Sequence, residues 1–265
     1  MDVIDHGVCR LALVSVRKDP TDQSEQVTQL LFGDHYEVTM VSDDKKWTNI
    51  RIHADLYEGW ISEKQHHAIT KEFFEQINHT NYKISTDLTS SLLYKKSPLT
   101  ILLGSIVPIS NSELFRMEEQ FAFNGESKSL GQKRDFEFVK SIALKYLNSP
   151  YQWGGKSPFG IDASGFTQMV FKIAGYPLLR DSRYQVNHGK MVKTISDAQP
   201  GDLAFFKNPE GQIVHVGIIL EDEKIIHVSG KVRIDHLLED GILNAETKIY
   251  THYLAGMRRI LSSGS

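Results

Sequence analysis

The sequence contains one cysteine, Cys9, among its 265 residues. A single cysteine cannot form a disulfide within the chain, so redox chemistry gives no sign of a secreted protein. Cys9 lies in an apolar stretch that resembles a strand, with no pattern of acid and base that would activate its thiol. We interpret Cys9 as a packed core residue and not as a nucleophile.

Long apolar runs are also missing. The longest, such as residues 11–14 and 101–103, fall far short of the roughly 20 residues that span a bilayer. Asp2 and Asp5 stand where a secretory signal peptide would carry positive charge. The sequence therefore predicts a protein without a membrane partner, in the cytoplasm, or in the cell envelope or outside the cell if a signal peptide has been removed.

Neither sign of charge is in excess. With 30 Lys and Arg against 33 Asp and Glu, the net charge is −3, which gives no basis for binding nucleic acid. The apolar share of 40% and the charged share of 24% are typical of a globular protein. A chain of this length has room for two or three small domains.

Short apolar runs recur at regular spacing in residues 1–67, separated by turn sequences rich in Asp, Gly and Lys. This pattern is typical of a small β-barrel. The predicted strands cover residues 8–16, 27–32, 36–41, 47–52 and 59–61. His66 and His67, at the end of this region, are interpreted as a solvated turn.

The next part of the chain repeats this organisation. Helical spacing over residues 69–78 predicts a connecting helix. Residues 82–128 return to the strand pattern, and residues 100–109 echo residues 29–38, which predicts a second, more divergent barrel. The polar stretch 124–133 is predicted as a linker, and a further helix is predicted over residues 136–147.

A glycine-rich turn within residues 151–166 leads into Asp162 and an apolar run at helical spacing. Asp162 is a good N-cap because its carboxylate can accept hydrogen bonds from the first helical turn, and Gly175 and Pro177 mark the helix end. Position 163 therefore lies at the positive end of a helix dipole, where a thiol would be driven toward thiolate and an oxyanion would meet N–H donors. The sequence has alanine there, Ala163.

Two histidines, His215 and His227, lie in β-branched runs joined by Glu-Asp-Glu. An odd-length hairpin loop, for instance residues 220–222, would place them directly opposite each other on one sheet face, and an even-length loop would separate them. On one face, His215 can act as a general base toward a thiol while His227 holds its tautomer. Zinc is less favoured because the H-E-x-x-H and C-x-x-C spacings are absent. We expect neither a metal nor a cofactor.

These residues resemble those of the NlpC/p60 cysteine peptidases. The family signature, Y-x-W-G-G followed by D-C-S-G-F, is similar to Y-Q-W-G-G and D-A-S-G-F here, with Ala163 where the family carries its catalytic cysteine. His215 and His227 match the two later catalytic positions, and residues 200–206, P-G-D-L-A-F-F, resemble the segment before the first of them. The four motifs occur in the family order over residues 130–260.

Residues 24–34, together with Trp47 and the Y-E-G-W-I run, resemble a bacterial SH3-like domain. The two resemblances imply an α+β chain in which a papain-like NlpC/p60 domain follows two small SH3-like β-barrels. The implied domains are a first SH3-like domain at 1–67, a connecting helix at 68–81, a second SH3-like domain at 82–128 and the peptidase domain at 129–262.

Family members of this organisation hydrolyse the γ-D-glutamyl-L-diamino acid bond of murein peptides that begin with a free L-Ala, during recycling of cell-wall peptides. The resemblance therefore implies a monomeric cysteine peptidase whose partner is a murein tripeptide or tetrapeptide, with diaminopimelate or lysine as the third residue. Tyr151 becomes a candidate oxyanion donor beside the backbone N–H of position 163. The implied substrate-binding residues are Glu25, Tyr57, Trp153, Asp162, Ser164 and Ser182.

Among these residues, Glu25 and Tyr57 are implied to meet the terminal ammonium of the peptide, which a carboxylate and a phenol oxygen can bind. Without the resemblance, Glu25 is a solvated turn carboxylate and Asp162 only a helix cap. Tyr151 and Trp153 are then only packing residues.

Ala163 has two possible origins. A natural loss of the thiol would make a pseudoenzyme that binds cell-wall peptides without cleaving them. A deliberate cysteine-to-alanine replacement would capture an uncleaved ligand, and it is favoured because Asp162, Ser164, His215 and His227 all remain. In both cases we expect binding without cleavage, because alanine offers no lone pair to attack a carbonyl.

Overall fold

The computed structural model describes residues 2–109, 115–116 and 121–261. Residues 110–114 and 117–120 of the second predicted barrel, and residue 262 at the end of the predicted peptidase domain, lie outside the described residues. The chain divides into two compact units. The first comprises Met1–Gln132 with Trp153–Ser157, and the second comprises Lys133–Gln152 with Pro158–Ser265.

The first unit begins with a seven-stranded antiparallel sheet that forms the SH3-like domain. Alternating burial along its second and fifth strands sends every other side chain into one apolar core, as a strand with one solvated face requires. In spatial order the sheet is β3-β2-β6-β5-β4-β1-β7. Its strands are β1 (Asp5–Val8), β2 (Leu13–Arg17), β3 (Gln26–Leu31), β4 (His35–Val41), β5 (Trp47–Ile52), β6 (Glu58–Ser62) and β7 (Ala68–Ile69), with a 3-10 helix at Glu63–Gln65.

Two sequence predictions fail in this domain. Residues 8–16 form the end of β1 and most of β2 and are not one strand, because the Cys9 N–H donates to the Asp34 carbonyl at 2.8 Å, away from the β2 ladder. His66 is not in a solvated turn. Its side chain is 9% exposed and contacts the Tyr36 hydroxyl at 3.1 Å and the Asp5 carboxylate at 3.3 Å.

Cys9 is buried in the core of this domain, and its thiol donates to the Leu11 carbonyl at 3.3 Å. Burial raises the pKa of the Cys9 thiol to about 12. A thiol in this environment is not a reactive nucleophile.

The rest of the first unit contains the connecting helix α1 (Lys71–His79), which Thr70 caps, and a second β module of two sheets. Its core receives Phe32 from the first module. The predicted linker 124–133 is partly a strand, since Ser127–Ser129 pairs with Lys83–Ser85. The strands are β8 (Lys83–Ser85), β9 (Thr89–Tyr94), β10 (Ser97–Leu102), β11 (Ile106–Val107), β12 (Phe115–Arg116), β13 (Phe121–Asn124), β14 (Ser127–Ser129) and β15 (Lys156–Ser157).

The second unit has the papain-like fold, with helices packed against a closed sheet. The order β17-β23-β18-β19-β20-β21-β22, with a further pairing of β22 to β23, closes six strands into a barrel. Its helices are α2 (Phe136–Lys145), α3 (Ala163–Ile173) and α4 (Ser182–Gln185), with a 3-10 helix at Ile195–Asp197. Its strands are β16 (Gly160–Ile161), β17 (Lys190–Val192), β18 (Leu203–Lys207), β19 (Ile213–Ile219), β20 (Lys224–Ser229), β21 (Lys231–Leu238), β22 (Gly241–Leu243) and β23 (Tyr250–Arg259).

The helix α3 is held in place by its buried contacts within the second unit. Most residues of α3 are buried, and the helix packs against β19, β20 and α2. In the part of the chain that the structure describes, no helix combines the length and the apolarity needed to cross a bilayer.

Candidate active site

The start of α3 has the predicted cap. Asp162 has extended backbone, and its Oδ1 accepts from the Gly165 N–H at 2.7 Å. The helix ends at Ala174 and Gly175, the latter with a φ of 89°. Ala163 is the first helical residue, on an element that packs against β19 and β20. A side chain at position 163 therefore stands where helix N–H groups lack internal acceptors and where the dipole favours negative charge.

A buried arginine that the sequence analysis missed holds this helix start. Arg180, 2% exposed, donates from Nη2 to Asp162 Oδ2 at 2.6 Å and from Nη1 to Asp162 Oδ1 at 3.0 Å. The same Nη1 lies 2.9 Å from Ser164 Oγ. Gln185 Nε2, also buried, donates to the Ser164 carbonyl at 3.0 Å. Asp162 and Ser164, predicted to bind substrate, are therefore tied into the protein through their side chains.

His215 and His227 share one face of the barrel sheet, as predicted, but they are not directly opposite. His227 pairs with Gly217, so the two histidines are diagonal neighbours. The pairing of Leu220 with Lys224 leaves a three-residue turn, which is odd in length as required but falls one residue later than 220–222. A side chain at Gly217 would meet the His227 Cβ at 2.9 Å, so glycine allows this close approach.

The two imidazoles are in contact within the protein core. His215 Nε2 lies 2.9 Å from His227 Nδ1. His215 is 6% exposed and His227 is fully buried. His227 occupies Nε2 of His215, and this contact leaves Nδ1 of His215 available for a reacting group. A general base and the residue that orients it need this arrangement.

The buried carboxylate of Asp235 extends the pair on the next strand. His227 Nε2 lies 2.9 Å from Asp235 Oδ2. Arg233 binds the same carboxylate in a fork, with Nε 2.8 Å from Oδ2 and Nη2 3.0 Å from Oδ1. Asp235 could not be predicted from the sequence, because only the register of β20 with β21 places it beside His227.

His252, on β23, is the third imidazole of the cluster and was also missed. Its ring stacks on His215 with centroids 4.1 Å apart and an interplanar angle of 24°. The ring nitrogens of His215, His227 and His252 all lie within 4.8 Å of one another, as the ligands of a metal ion could. Stacked rings, however, direct their in-plane lone pairs side by side and not toward one ion, and both nitrogens of His227 are engaged. The arrangement suits a hydrogen-bonded relay better than tetrahedral zinc, and the absence of a metal stays a prediction.

Burial keeps two of these imidazoles neutral. It lowers the pKa of His215 well below the ordinary value, and electrostatic interactions with the His252 and His227 rings lower it further. Burial lowers the pKa of His252 to about 4, with a smaller contribution from His227. An uncharged His215 can accept a proton, as a general base must.

These shifts predict a loss of stability in acid. The unfolded chain binds protons at His252 near the ordinary value of 6.5 and the folded chain only near about 4, so the contribution of His252 is present above pH 6.5 and is lost as the pH falls toward about 4. A His252→Phe variant is expected to keep the stack on His215 and to lose less thermal stability over this interval. Thermal unfolding at a series of pH values tests this, with His236→Phe, outside the cluster, as the control. Equal losses in the parent and His252→Phe would contradict it.

Two further predicted site residues, Tyr151 and Ser182, also lie in the second unit. Tyr151 is 46% exposed, and its backbone N–H donates to the Gly230 carbonyl at 2.9 Å. Burial and the Asp162 charge raise the pKa of Tyr151, so its hydroxyl stays protonated and can donate. Ser182 begins α4, and the adjacent Arg183 pairs at 2.9 Å with Asp181, the N-cap residue of the same helix.

The remaining predicted residues lie in the first unit, where Glu25 and Trp153 are in contact. The indole Nε1–H of Trp153 donates to Glu25 Oε1 at 2.6 Å. Gln26 donates to the Trp153 carbonyl at 3.0 Å, and Gly154, with a φ of 71°, is needed because a Cβ there would lie 2.4 Å from the Gln26 carbonyl oxygen. Glu25 remains 42% exposed with Lys18 at 4.0 Å. Tyr57 packs against the core of the first domain.

Comparison with protein families matches the domains in the same order. Residues 148–258 match the NlpC/P60 family, and residues 16–65 match the bacterial dipeptidyl-peptidase Sh3 domain. This chain carries an NlpC/P60 domain preceded by a bacterial SH3 domain. The NlpC/P60 domain contains Ala163, His215, His227, Asp235 and His252.

Similar proteins match this chain over most of their own length. The gamma-D-glutamyl-L-lysine dipeptidyl-peptidase of Bacillus subtilis is 28% identical over 89% of this chain and 81% of its own. Dipeptidyl-peptidase 6 of Lysinibacillus sphaericus is 26% identical over 82% of this chain and 85% of its own. A crystal structure of an NlpC/P60 family protein from Bacillus cereus matches the fold over 97% of this chain and all of that chain, with a TM-score of 0.80 at 21% identity. Two of these relatives are named as dipeptidyl-peptidases, and the third is named for the NlpC/P60 family.

Proposed function

We propose that this protein, with cysteine at position 163, is a γ-D-glutamyl-L-diamino acid endopeptidase. It removes L-Ala-γ-D-Glu from murein tripeptides and tetrapeptides with a free amino terminus, in the recycling of cell-wall peptides. It acts as a monomer in the cytoplasm, or in the cell envelope if a signal peptide has been removed. The printed sequence, with Ala163, is the inactive form of this enzyme.

The contact between His215 and His227, on strands against which α3 packs, carries this proposal. In the proposed reaction, His215 takes the proton from a thiol at position 163, and the sulfur attacks the γ-glutamyl carbonyl. His215 then returns the proton to the leaving amine, and water hydrolyses the thioester. The N–H groups at the start of α3, with the protonated Tyr151 hydroxyl, are suited to the oxyanion.

The exposed carboxylate of Glu25 supports the proposed preference for a free amino terminus. Trp153 orients this carboxylate by a 2.6 Å hydrogen bond and leaves it 42% exposed, so an ammonium group can reach it. The resemblance assigns Glu25 and Tyr57 to the terminal ammonium and Asp162, Ser164 and Ser182 to the rest of the peptide. The names of the Bacillus subtilis and Lysinibacillus sphaericus relatives, both dipeptidyl-peptidases, agree with this specificity.

A second candidate function rests on Ala163 itself. A natural pseudoenzyme would bind the same peptides and cleave none. Two buried groups of bonded side chains favour the first candidate, Arg180 with Asp162 and His215 with His227 and Asp235. Buried ionic groups that serve no chemistry are free to be replaced by apolar residues.

An Ala163→Cys variant incubated with L-Ala-γ-D-Glu-diaminopimelate tests the proposal. We expect release of L-Ala-γ-D-Glu, detected by mass spectrometry, and none from the printed chain. Glu25→Gln in the Ala163→Cys background is expected to lower kcat/KM by about 10- to 100-fold, because a charge-assisted hydrogen bond to the ammonium is lost.

Two controls separate the outcomes. Glu58→Gln alters another exposed carboxylate of the same domain and should leave the rate unchanged. An N-acetylated peptide should be a poor substrate that is insensitive to Glu25→Gln. Tight binding without cleavage in the Ala163→Cys protein would support the pseudoenzyme, and rapid cleavage of the blocked peptide would indicate an endopeptidase on intact murein.

A further inference from the structure

We infer that Asp235 is a positioning residue that sets the tautomers of His227 and, through it, of His215, so that the lone pair of His215 Nδ1 is free. Only the effect on reaction rate depends on the proposed function. The arrangement of protons is a property of the protein as it stands.

The surroundings of Asp235 fix its charge. The residue is 2% exposed, and the guanidinium of Arg233 binds both of its oxygens. The Ala245 N–H donates to Oδ1 at 2.8 Å. Burial alone would raise the pKa of Asp235, but the hydrogen bonds from His227 and Arg233 lower it well below the ordinary value. An ionised carboxylate only accepts hydrogen bonds.

The direction of each hydrogen bond follows from this charge. Because Asp235 only accepts, His227 Nε2 carries the proton in their 2.9 Å contact. Arg233 already balances the carboxylate, and His227 is fully buried, so a second proton on its ring would be an uncompensated buried charge. His227 Nδ1 is then an acceptor, and His215 Nε2 must be the donor in the next 2.9 Å contact. His215 Nδ1 is left with its lone pair.

An Asp235→Asn variant should reverse the direction of both hydrogen bonds, the one between His227 and residue 235 and the one between His215 and His227. An amide NH₂ at the Oδ1 position would oppose two donors, Arg233 Nη2 and the Ala245 N–H. At the Oδ2 position it would oppose only Arg233 Nε, because His227 can change tautomer and accept from it. The second orientation is favoured. His227 would then donate from Nδ1, and His215 would carry its proton on Nδ1, where no lone pair remains for a thiol.

Asp202 provides a matched control. It is also 2% exposed, Arg259 binds both of its oxygens at 2.8 Å, and the Gln199 N–H donates to it at 2.8 Å. It therefore reproduces the arginine fork and the backbone amide of Asp235 in the same unit. Asp202→Asn should lose a comparable buried ion pair without changing any tautomer in the histidine cluster.

Nitrogen-15 NMR of the imidazoles in the protein with Ala163 tests the inference directly. We expect a pyridine-type Nδ1 and a protonated Nε2 for both His215 and His227, and the opposite pattern in Asp235→Asn. The Asp202→Asn spectrum should match the parent. A protonated Nδ1 on His215 in the parent would overturn the inference, and this measurement needs no variant to fold.

The rate consequence is measured in the Ala163→Cys background. Asp235→Asn is expected to lower kcat by about 10²- to 10⁴-fold with little change in KM, as for an imidazole held in the wrong tautomer. Asp202→Asn should keep the parent kcat. Equal rates for the two variants would contradict the positioning role. If the Ala163→Cys protein itself cleaves nothing, the proposed function fails while the NMR result still decides the tautomer inference.

Discussion

Replacing His215 with glutamine in the Ala163→Cys protein is expected to lower kcat by about 10⁴-fold or more, since a thiol peptidase without its general base retains only binding and oxyanion contributions. Glutamine has a similar volume to histidine and can keep the hydrogen bond to His227, but it cannot take a proton near neutral pH. The loss should therefore appear in kcat, measured on L-Ala-γ-D-Glu-diaminopimelate, with KM little changed.

The control for this prediction is another histidine of the same sheet. His236→Gln alters β21 outside the buried cluster and should retain the rate of the Ala163→Cys protein. Circular dichroism spectra of both variants establish that the fold is kept. The loss of a general base should leave far less than a tenth of the parental kcat. If His215→Gln keeps more than about a tenth, His215 is not the general base.

Replacing Arg180 with leucine is expected to reduce the free energy of unfolding by about 3–5 kcal/mol. The change removes both guanidinium bonds to Asp162 and leaves a buried carboxylate without its counterion. It also removes the donor to Ser164, so the first turn of α3 loses its anchor. Urea unfolding of the protein with Ala163, followed by circular dichroism, measures the loss.

Arg183 provides the matched comparison for Arg180. It also pairs with an aspartate, Asp181 at 2.9 Å, but its side chain is 65% exposed. Because an exposed pair is screened by water, Arg183→Leu should change the free energy of unfolding by about 0–1 kcal/mol. Equal effects of the two substitutions would show that the Arg180 pair contributes no more than a surface ion pair.

The features that the sequence predicted are those that local chemistry determines. The helix at 163–173 begins at an aspartate cap and ends at a glycine, and both signals lie within a few residues of the boundaries that they set. Most strands of the first domain follow from alternating burial. The sequence missed residues 5–7 of β1, the short strand β7, and the break at Cys9 that a bond to the distant Asp34 causes.

The histidine pair shows where prediction from sequence stops. The parity of the hairpin loop was sufficient to place His215 and His227 on one face, but the turn position, which sets the register, was not determined by the Glu-Asp-Glu sequence. The position of Asp235 beside His227 depends on the register of β20 with β21. The position of His252 depends on closure of the barrel through β23. Arg180 reaches Asp162 across a loop without regular structure. Long-range pairing, which no local pattern encodes, completes the site.

The central claim is that position 163 is built to activate sulfur, and the pH dependence of alkylation of the Ala163→Cys thiol by iodoacetamide tests it most directly. Cys9 serves as an internal reference, because burial raises the pKa of its thiol to about 12 and should leave it unlabelled in the folded protein. We predict that Cys at position 163 reacts with a midpoint clearly below the ordinary thiol value of about 8.5, and that His215→Gln raises this midpoint. A midpoint at or above the ordinary value, unaffected by His215→Gln, would contradict the account.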